Sequence, residues 1–202
     1  MAENENTENK ILEAAKRVFI RKGMDGARMQ EIADEAGINK ALLHYYFRSK
    51  DMLFKAVFQV AFQFFVPRII EKIQTDLPFF DKIRFFVHTY CQLIESNPYL
   101  PVFIMNEINR DPSGLLRIIR NSGVKPELIV AMFDHAYEEG LIKKTDGREI
   151  FLNIIALCVF PYAARPLVEQ ILFNSDKAAY NVMLERRKSQ VAEMIINDIK
   201  AS

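Results

Sequence analysis

The stretch GINKALLHYYFRSKDML, residues 37–53, decides how the front of this chain folds. Gly37 suits the left-handed backbone that ends a helix. Asn39 then offers a side-chain oxygen to the open N–H groups of a new helix, and Ser49 does the same one helix later. Between them Leu42, Leu43 and Phe47 supply an inward set, leaving Lys40, Ala41, His44 and Tyr45 outward. Tyr46, near the helix end, can face either way. Three adjacent polar aromatics, His44, Tyr45 and Tyr46, are too many for a core alone.

Working outward, Met29, Ile32, Ala33 and Ala36 form a short apolar stripe just before Gly37. Ile11, Leu12, Ala15, Val18 and Phe19 form a longer one, with Thr7 as the expected N-cap and Gly23 as the stop. A helix over about 28–36, a glycine turn and a helix over about 39–46 have the dimensions of a helix-turn-helix. Ala33 is small where the two helices must approach, and Ile38 fills the angle between them. The outward face suits a major groove: Lys40 can reach a phosphate or guanine, Ala41 permits close approach, and His44 and Tyr45 can touch bases or backbone. Lys50 and the N–H groups behind Ser49 offer a second phosphate site. Spacing alone leaves a second reading open, a helical pair whose basic residues are merely solvated.

The remainder also reads as helix, over about 79–96, 99–109, 113–121, 125–140, 147–172 and 177–200, after a fourth helix that bends near Pro67. Asp146 and Glu149 fit a capping box. No alternating strand pattern persists. The expected fold is all-α, with a three-helix module at 7–55 and a larger helical body at 56–202.

Residues 7–55 hold ten Lys/Arg against seven Asp/Glu, while the whole chain is only +1. That bias is too small to argue for nucleic acid by itself. The start MAENENTENK is acidic and polar, unlike a secretory signal. The most apolar run, IFLNIIALCVFPYAA, is broken by Asn153 and Pro161, so it reads as a buried helix and no membrane partner is expected. Cys91 and Cys158 read as buried free thiols, which suits a cytoplasmic protein. The chain shows no HExxH, no Gly-rich phosphate loop and no nucleophile with a placed base, and His44, His88 and His135 lie in different helices. An all-α enzyme or small-molecule carrier therefore has no supporting constellation, and neither metal nor cofactor is expected.

Three patterns carry a family resemblance: A-x-x-x-F-x-x-x-G at Ala15, Phe19 and Gly23, I-A-x-x-A-G-I from Ile32 to Ile38, and Y-F-x-S-K-x-x-L from Tyr46 to Leu53. Together they resemble the DNA-binding module of the TetR/AcrR family of transcriptional repressors, over about a quarter of the chain. The resemblance implies double-stranded operator DNA as partner, with Arg28, Asn39, Lys40, Ala41, His44, Tyr45, Tyr46 and Lys50 at the contact. Ala27-Arg28 stands where the family usually has a capping Thr or Ser, leaving Arg28 as the phosphate contact. His44 stands where a Tyr is usual, and Ala41 where a Gly is frequent.

The resemblance also implies a cavity for an apolar or aromatic effector. Its candidates are Phe62, Phe65, Tyr90, Phe103, Met105, Phe133 and Tyr137, with His88, Gln92, Asn106 and His135 as polar anchors. The alternative for these residues is plain core. It further implies a homodimer paired through Ile150, Ile154, Leu157 and Val168 on one late helix and Val182, Val191, Met194, Ile195 and Ile199 on the other, against interior packing as the alternative. The implied activity is a repressor released from a palindromic operator by its ligand; an activator or ligand-independent regulator fits the same residues.

Overall fold

The computed structural model describes residues 2–201. Helices α1 (Ala2–Gly26), α2 (Met29–Ala36), α3 (Lys40–Tyr46), α4 (Lys50–Gln74), α5 (Phe79–Ser96) and α6 (Leu100–Arg110) are followed by α7 (Pro112–Asn121), α8 (Pro126–Glu138), α9 (Gly147–Ala163), α10 (Arg165–Phe173) and α11 (Lys177–Ile199). The chain is all-α, 83% helical. Its nearest approach to a sheet among the described residues is an isolated bridge between Ile142 and Lys200.

Local chemistry explains most boundaries, and three expectations change. Helix α1 starts at Ala2, so Thr7 lies inside it rather than capping it. Gly23 interrupts the helix with φ 67 and ψ 176, and a last turn continues to Gly26. Helix α4 runs unbroken through Pro67. The expected single helix over 147–172 is two helices bent by 77° at Ala164. Two prolines account for the break. Pro161 has no N–H for the Leu157 carbonyl, and Pro166 has none for Tyr162 while disfavouring helical geometry at Arg165. Arg187 of α11 donates to the orphaned Leu157 carbonyl at 2.9 Å, and the buried Tyr180 hydroxyl donates to Pro161 O at 2.7 Å. Asp146 caps α9 through the Arg148 N–H at 2.9 Å.

The chain forms two compact units. The first comprises residues up to Phe64 together with Asn97–Ile118. Thus α6 and most of α7 pack with the front helices, a division different from the expected 7–55 and 56–202. An aromatic chain holds this unit: Phe19 meets Phe54 edge-on at 4.5 Å, Phe54 meets Tyr99 at 5.2 Å and Phe103 at 4.4 Å, and Phe103 meets Phe58 at 5.1 Å. Such pairs contribute about 0.5–1.5 kcal/mol each beyond simple burial. Charges reinforce it. Glu107, 2% exposed, sits between Lys55 and Arg110, which also reach Asp111 and Asp51.

The second unit comprises Phe65–Ser96 and Ile119 onward. Ile83, Val87 and Ile94 of α5, Ile150 and Ile154 of α9, and Val191, Ile195 and Ile199 of α11 are its buried aliphatic core.

Candidate nucleic-acid interface

The two-helix unit forms because each of its termini is satisfied locally. Gly37 adopts φ 68, ψ 31, and its N–H bonds back to the end of α2, followed by Ile38 N–H to Ala33 O at 3.0 Å. A side chain at that φ is strained, which is why glycine stands there. Asn39 Oδ1 accepts from Leu42 N at 2.8 Å and starts α3. Ser49 Oγ accepts from Met52 N at 3.1 Å and starts α4. At α2 the expected loss of the cap is real, because Arg28 has no acceptor to offer. Glu31 compensates in part, taking the Arg28 N–H at 3.4 Å.

On α3, Leu43 is fully buried and Phe47 nearly so, one helical turn apart. Leu42 is 37% exposed and does not join them. It lies about 100° from Leu43 around the helix, too far to share a narrow buried face on a seven-residue helix. Lys40, Ala41, His44 and Tyr45 are exposed, and Tyr46 is half-buried with its ring edge-on to Tyr45 at 5.5 Å. Tyr45 is 76% exposed, a large aromatic held out in water by a well-capped helix.

Charge is sorted around this face. On the α1–α2 side, Glu35 accepts from Arg17 at 2.8 Å and Arg21 at 2.7 Å, and Glu31 pairs with Lys22 at 2.5 Å. The Arg21 and Arg17 guanidinium groups hold the Glu35 carboxyl below its ordinary range, and Lys22 does the same for Glu31. Those acids are therefore spent on α1. Arg28, Lys40 and Arg48 are exposed and form no ion pair among the described residues. Arg48 was missed from sequence; its signal was a third cation beside the Ser49 cap. Lys50 behaves differently from the expectation. Its ammonium donates to the carbonyls of Asp25 and Ala27 at 3.2 and 3.1 Å, tying the start of α4 to the end of α1.

An exposed helix with capped termini, an aromatic face and unspent cations fits the known proteins it resembles. Residues 11–57 match the family model described as bacterial regulatory proteins, tetR family. The transcriptional activator FasR of Mycolicibacterium smegmatis is 28% identical over 74% of this chain and 67% of its own length. The transcriptional repressor NicS of Pseudomonas putida is 38% identical over 55 residues, 27% of this chain and 26% of that one. A TetR regulator of Haloarcula marismortui shares the fold, with TM-score 0.71 and 19% identity over 97% of this chain and 99% of that one. Residues 11–57 are a tetR-family DNA-binding domain. The chain is a DNA-binding transcriptional regulator of the tetR type.

In this chain the residues expected to line one cavity are dispersed. His88, Gln92, Met105, Asn106, His135 and Tyr137 are exposed to solvent within the chain. Phe62 and Phe103 both touch Phe58 in the first unit. In the second unit Phe65 packs on Tyr90 at 5.8 Å and Phe133 on Phe79 at 5.3 Å. An apolar crevice between α5, α8 and α9 is lined by Lys82, Ile83, Phe86, Ile129, Met132, Phe133, Phe151 and Ile154, and has about 20 Å³ free, room for one water. Of the expected lining only Phe133 reaches it.

The expected dimer residues divide too. Ile150, Ile154, Val191, Ile195 and Ile199 are core of the chain itself, whereas Val182 and Met194 are 57% and 58% exposed. Leu157 and Val168 are half-buried. Sequence missed Leu152, Phe160, Ile171 and Leu172, which are 63–70% exposed on α9 and α10. The apolar run of α9 is thus buried along one side only.

Proposed function

We propose that the chain is a homodimeric repressor that binds a palindromic operator through α3 and is released by an apolar small molecule. The carrying observation is the exposed Lys40–Ala41–His44–Tyr45 face, flanked by the exposed Arg28 and Arg48, neither of which forms a salt bridge among the described residues. Lys40, His44 and Tyr45 enter the major groove. Arg28 and Arg48 take phosphates, and Tyr46 with the capped starts of α3 and α4 fixes the register through Asn39. Lys50 acts by holding α4 against the end of α1. The protein works in the cytoplasm and performs no catalytic step.

Dimerisation supplies what one seven-residue helix lacks. A two-fold pair presents two α3 helices to major grooves about 34 Å apart. The exposed apolar residues on α9, α10 and α11 support that pairing, since a run of such side chains left in water marks an interface. The crevice between α5, α8 and α9 is the effector's entry; it must widen, so the ligand acts by preferring the widened form. The chain's similarity to an activator over 74% of its length favours a second reading, in which the same binding recruits rather than blocks transcription.

Fluorescence anisotropy against the DNA upstream of its own gene tests the DNA contact. Binding should weaken steeply with salt, and Arg48→Ala, which removes a phosphate contact, should reduce the salt slope by about one. Salt-insensitive binding, or binding indifferent to both Lys40→Ala and Tyr45→Ala, refutes the assignment.

A further inference from the structure

The outward face of α3 carries a chemical preference that its cations do not explain. At about 100° per residue, the buried Leu43 and Phe47 lie about 160° to either side of Tyr45, so Tyr45 marks the middle of the free face. Ala41 stands about 40° to one side of it and Leu42 about 60° to the other. All three are exposed, Leu42 at 37% and Tyr45 at 76%. Leu42 is therefore a neighbour of the most outward side chain on the helix, and the Asn39 cap on its own N–H holds it there. The ionisable groups stand further round. His44 is about 100° from Tyr45 and Lys40 about 140°, while Arg28 and Arg48 lie outside α3. Water thus meets a strip of methyl, isobutyl and phenol groups, framed by cations.

The major groove offers such a strip a single match. The groups that a G·C pair presents there are all hydrogen-bond donors or acceptors, whereas an A·T pair adds one apolar group, the thymine 5-methyl. The side chains of Ala41 and Leu42 neither donate nor accept. Pressed against a G·C edge they displace water and return no hydrogen bond, which is unfavourable. Against a thymine methyl they bury apolar surface on both sides. The framing cations hold phosphates and set the depth of approach without selecting a base. That frame is also what marks nucleic acid, rather than another protein, as the occupant of the strip.

We infer that α3 recognises thymine 5-methyl groups in the major groove, that Leu42 is the residue that selects them with Ala41 alongside, and that each operator half-site carries a thymine where Leu42 meets it. The inference rests on the operator reading above and adds to it the base chemistry of the site. Leu42 is absent from the contact set that the family resemblance implies, because its letter suits a core. In a two-fold pair the contact occurs twice, so the preference for thymine at one half-site is squared over the whole site.

Deoxyuridine pairs as thymine does and lacks only the 5-methyl, so it isolates the contact. Duplexes are first selected from a random pool on the full-length protein. Anisotropy is then measured on a selected duplex with one thymine exchanged in each half-site, position by position. At one position the exchange should weaken wild-type binding about fourfold per half-site and about sixteenfold for the symmetric pair, the effect of one buried methyl each. Leu42→Ala should bind the thymine duplex more weakly than wild type does and be indifferent to that exchange, with its salt slope and circular dichroism unchanged. Arg48→Ala should weaken binding to every duplex and keep the ratio of thymine to deoxyuridine affinities. Selected sites with no shared thymine, or a ratio that survives Leu42→Ala, would overturn the inference while leaving salt-sensitive operator binding in place. A Leu42→Ala chain that keeps the ratio but changes oligomeric state in size-exclusion chromatography would give the strip to a protein contact and overturn it as well. A pool that yields no enriched duplex overturns this inference and the operator reading together.

Discussion

Replacing Lys55 by Met probes the charge cluster that ties α4 to α6 in the first unit. Met keeps the aliphatic stem and removes the ammonium. Glu107 then loses one of two cationic partners: Lys55 Nζ stands 3.1 Å from Oε2, and Arg110 Nη2 2.6 Å from Oε1. Oε2 is fully buried and has no aligned hydrogen bond, so the ammonium is its compensation. Removing a partner from a fully buried pair costs about 3–5 kcal/mol. Arg110 remains on the other oxygen, and the Lys55 side chain is 29% exposed. Those two facts bring the expected loss to about 2 kcal/mol.

Glu107→Gln should cost only about 1 kcal/mol, because Lys55 and Arg110 retain Asp111 and Asp51. The double variant should lose about 1 kcal/mol less than the sum of the two single losses, since no buried charge is then abandoned. Urea unfolding followed by helical circular dichroism, with all four proteins at one pH, measures the cycle. A Lys55→Met loss within about 0.5 kcal/mol of zero, or strictly additive variants, would refute the argument that Glu107 needs its ammonium. The wild-type protein offers a pH check. Burial draws the Lys55 ammonium down, but Asp111 and Glu107 outweigh it and its pKa is raised. Its stabilisation is therefore complete below about pH 10.4 and disappears as pH climbs through the folded value.

Asn39→Ala removes the acceptor for Leu42 N–H at the start of α3, and should cost about 1 kcal/mol in urea unfolding while weakening operator binding in anisotropy. Glu35 is depressed by Arg21 and Arg17, so its contribution is present above the unfolded carboxylate value of about 4.3 and lost as pH falls through the lower folded value. Glu35→Gln should flatten the acid limb of a thermal-midpoint profile below about pH 4.3, and an unchanged limb would count against the pairing. Arg187→Met strands the Leu157 carbonyl that Pro161 cannot serve, with an expected loss of about 1–3 kcal/mol. Adding Pro161→Ala restores a backbone N–H and should recover part of it; a double variant as weak as Arg187→Met alone contradicts that account.

What was legible in the sequence is what neighbouring residues decide among themselves. Gly37, Asn39 and Ser49 each settle a backbone group within three or four positions, so their roles read directly. Leu42 escaped because an apolar residue on a short helix has the same letter whether its face is covered or wet. The break at Ala164 was hidden in an apolar run, although Pro161 and Pro166 carried the signal. The residues expected to line a pocket scatter for a related reason. Phe103 and Phe133 look alike in sequence, yet one packs in the first unit and the other in the second. The interface residues were confused in the same way: Ile154 and Leu152 are both apolar on α9, and only which one is buried by α5 and α11 distinguishes core from free face.

The division into two units alters how the DNA module should be understood. Its recognition signals end near residue 57, but its stability does not. Tyr99 and Phe103, more than forty residues later, supply rings against Phe54, and Glu107 supplies the carboxylate that Lys55 holds. The first unit is consequently built from two stretches joined through residues 65–96, which fold into the second. A truncation at residue 55–60 would leave α3 and its caps intact yet expose Phe19, Phe54 and Phe58 and strand Lys55 without its acids. The segment from Asn97 to Ile118 supplies much of the packing that keeps the exposed face of α3, the proposed DNA contact, in place. The first unit, rather than the helix-turn-helix motif alone, is therefore the structural element on which the proposed operator binding depends.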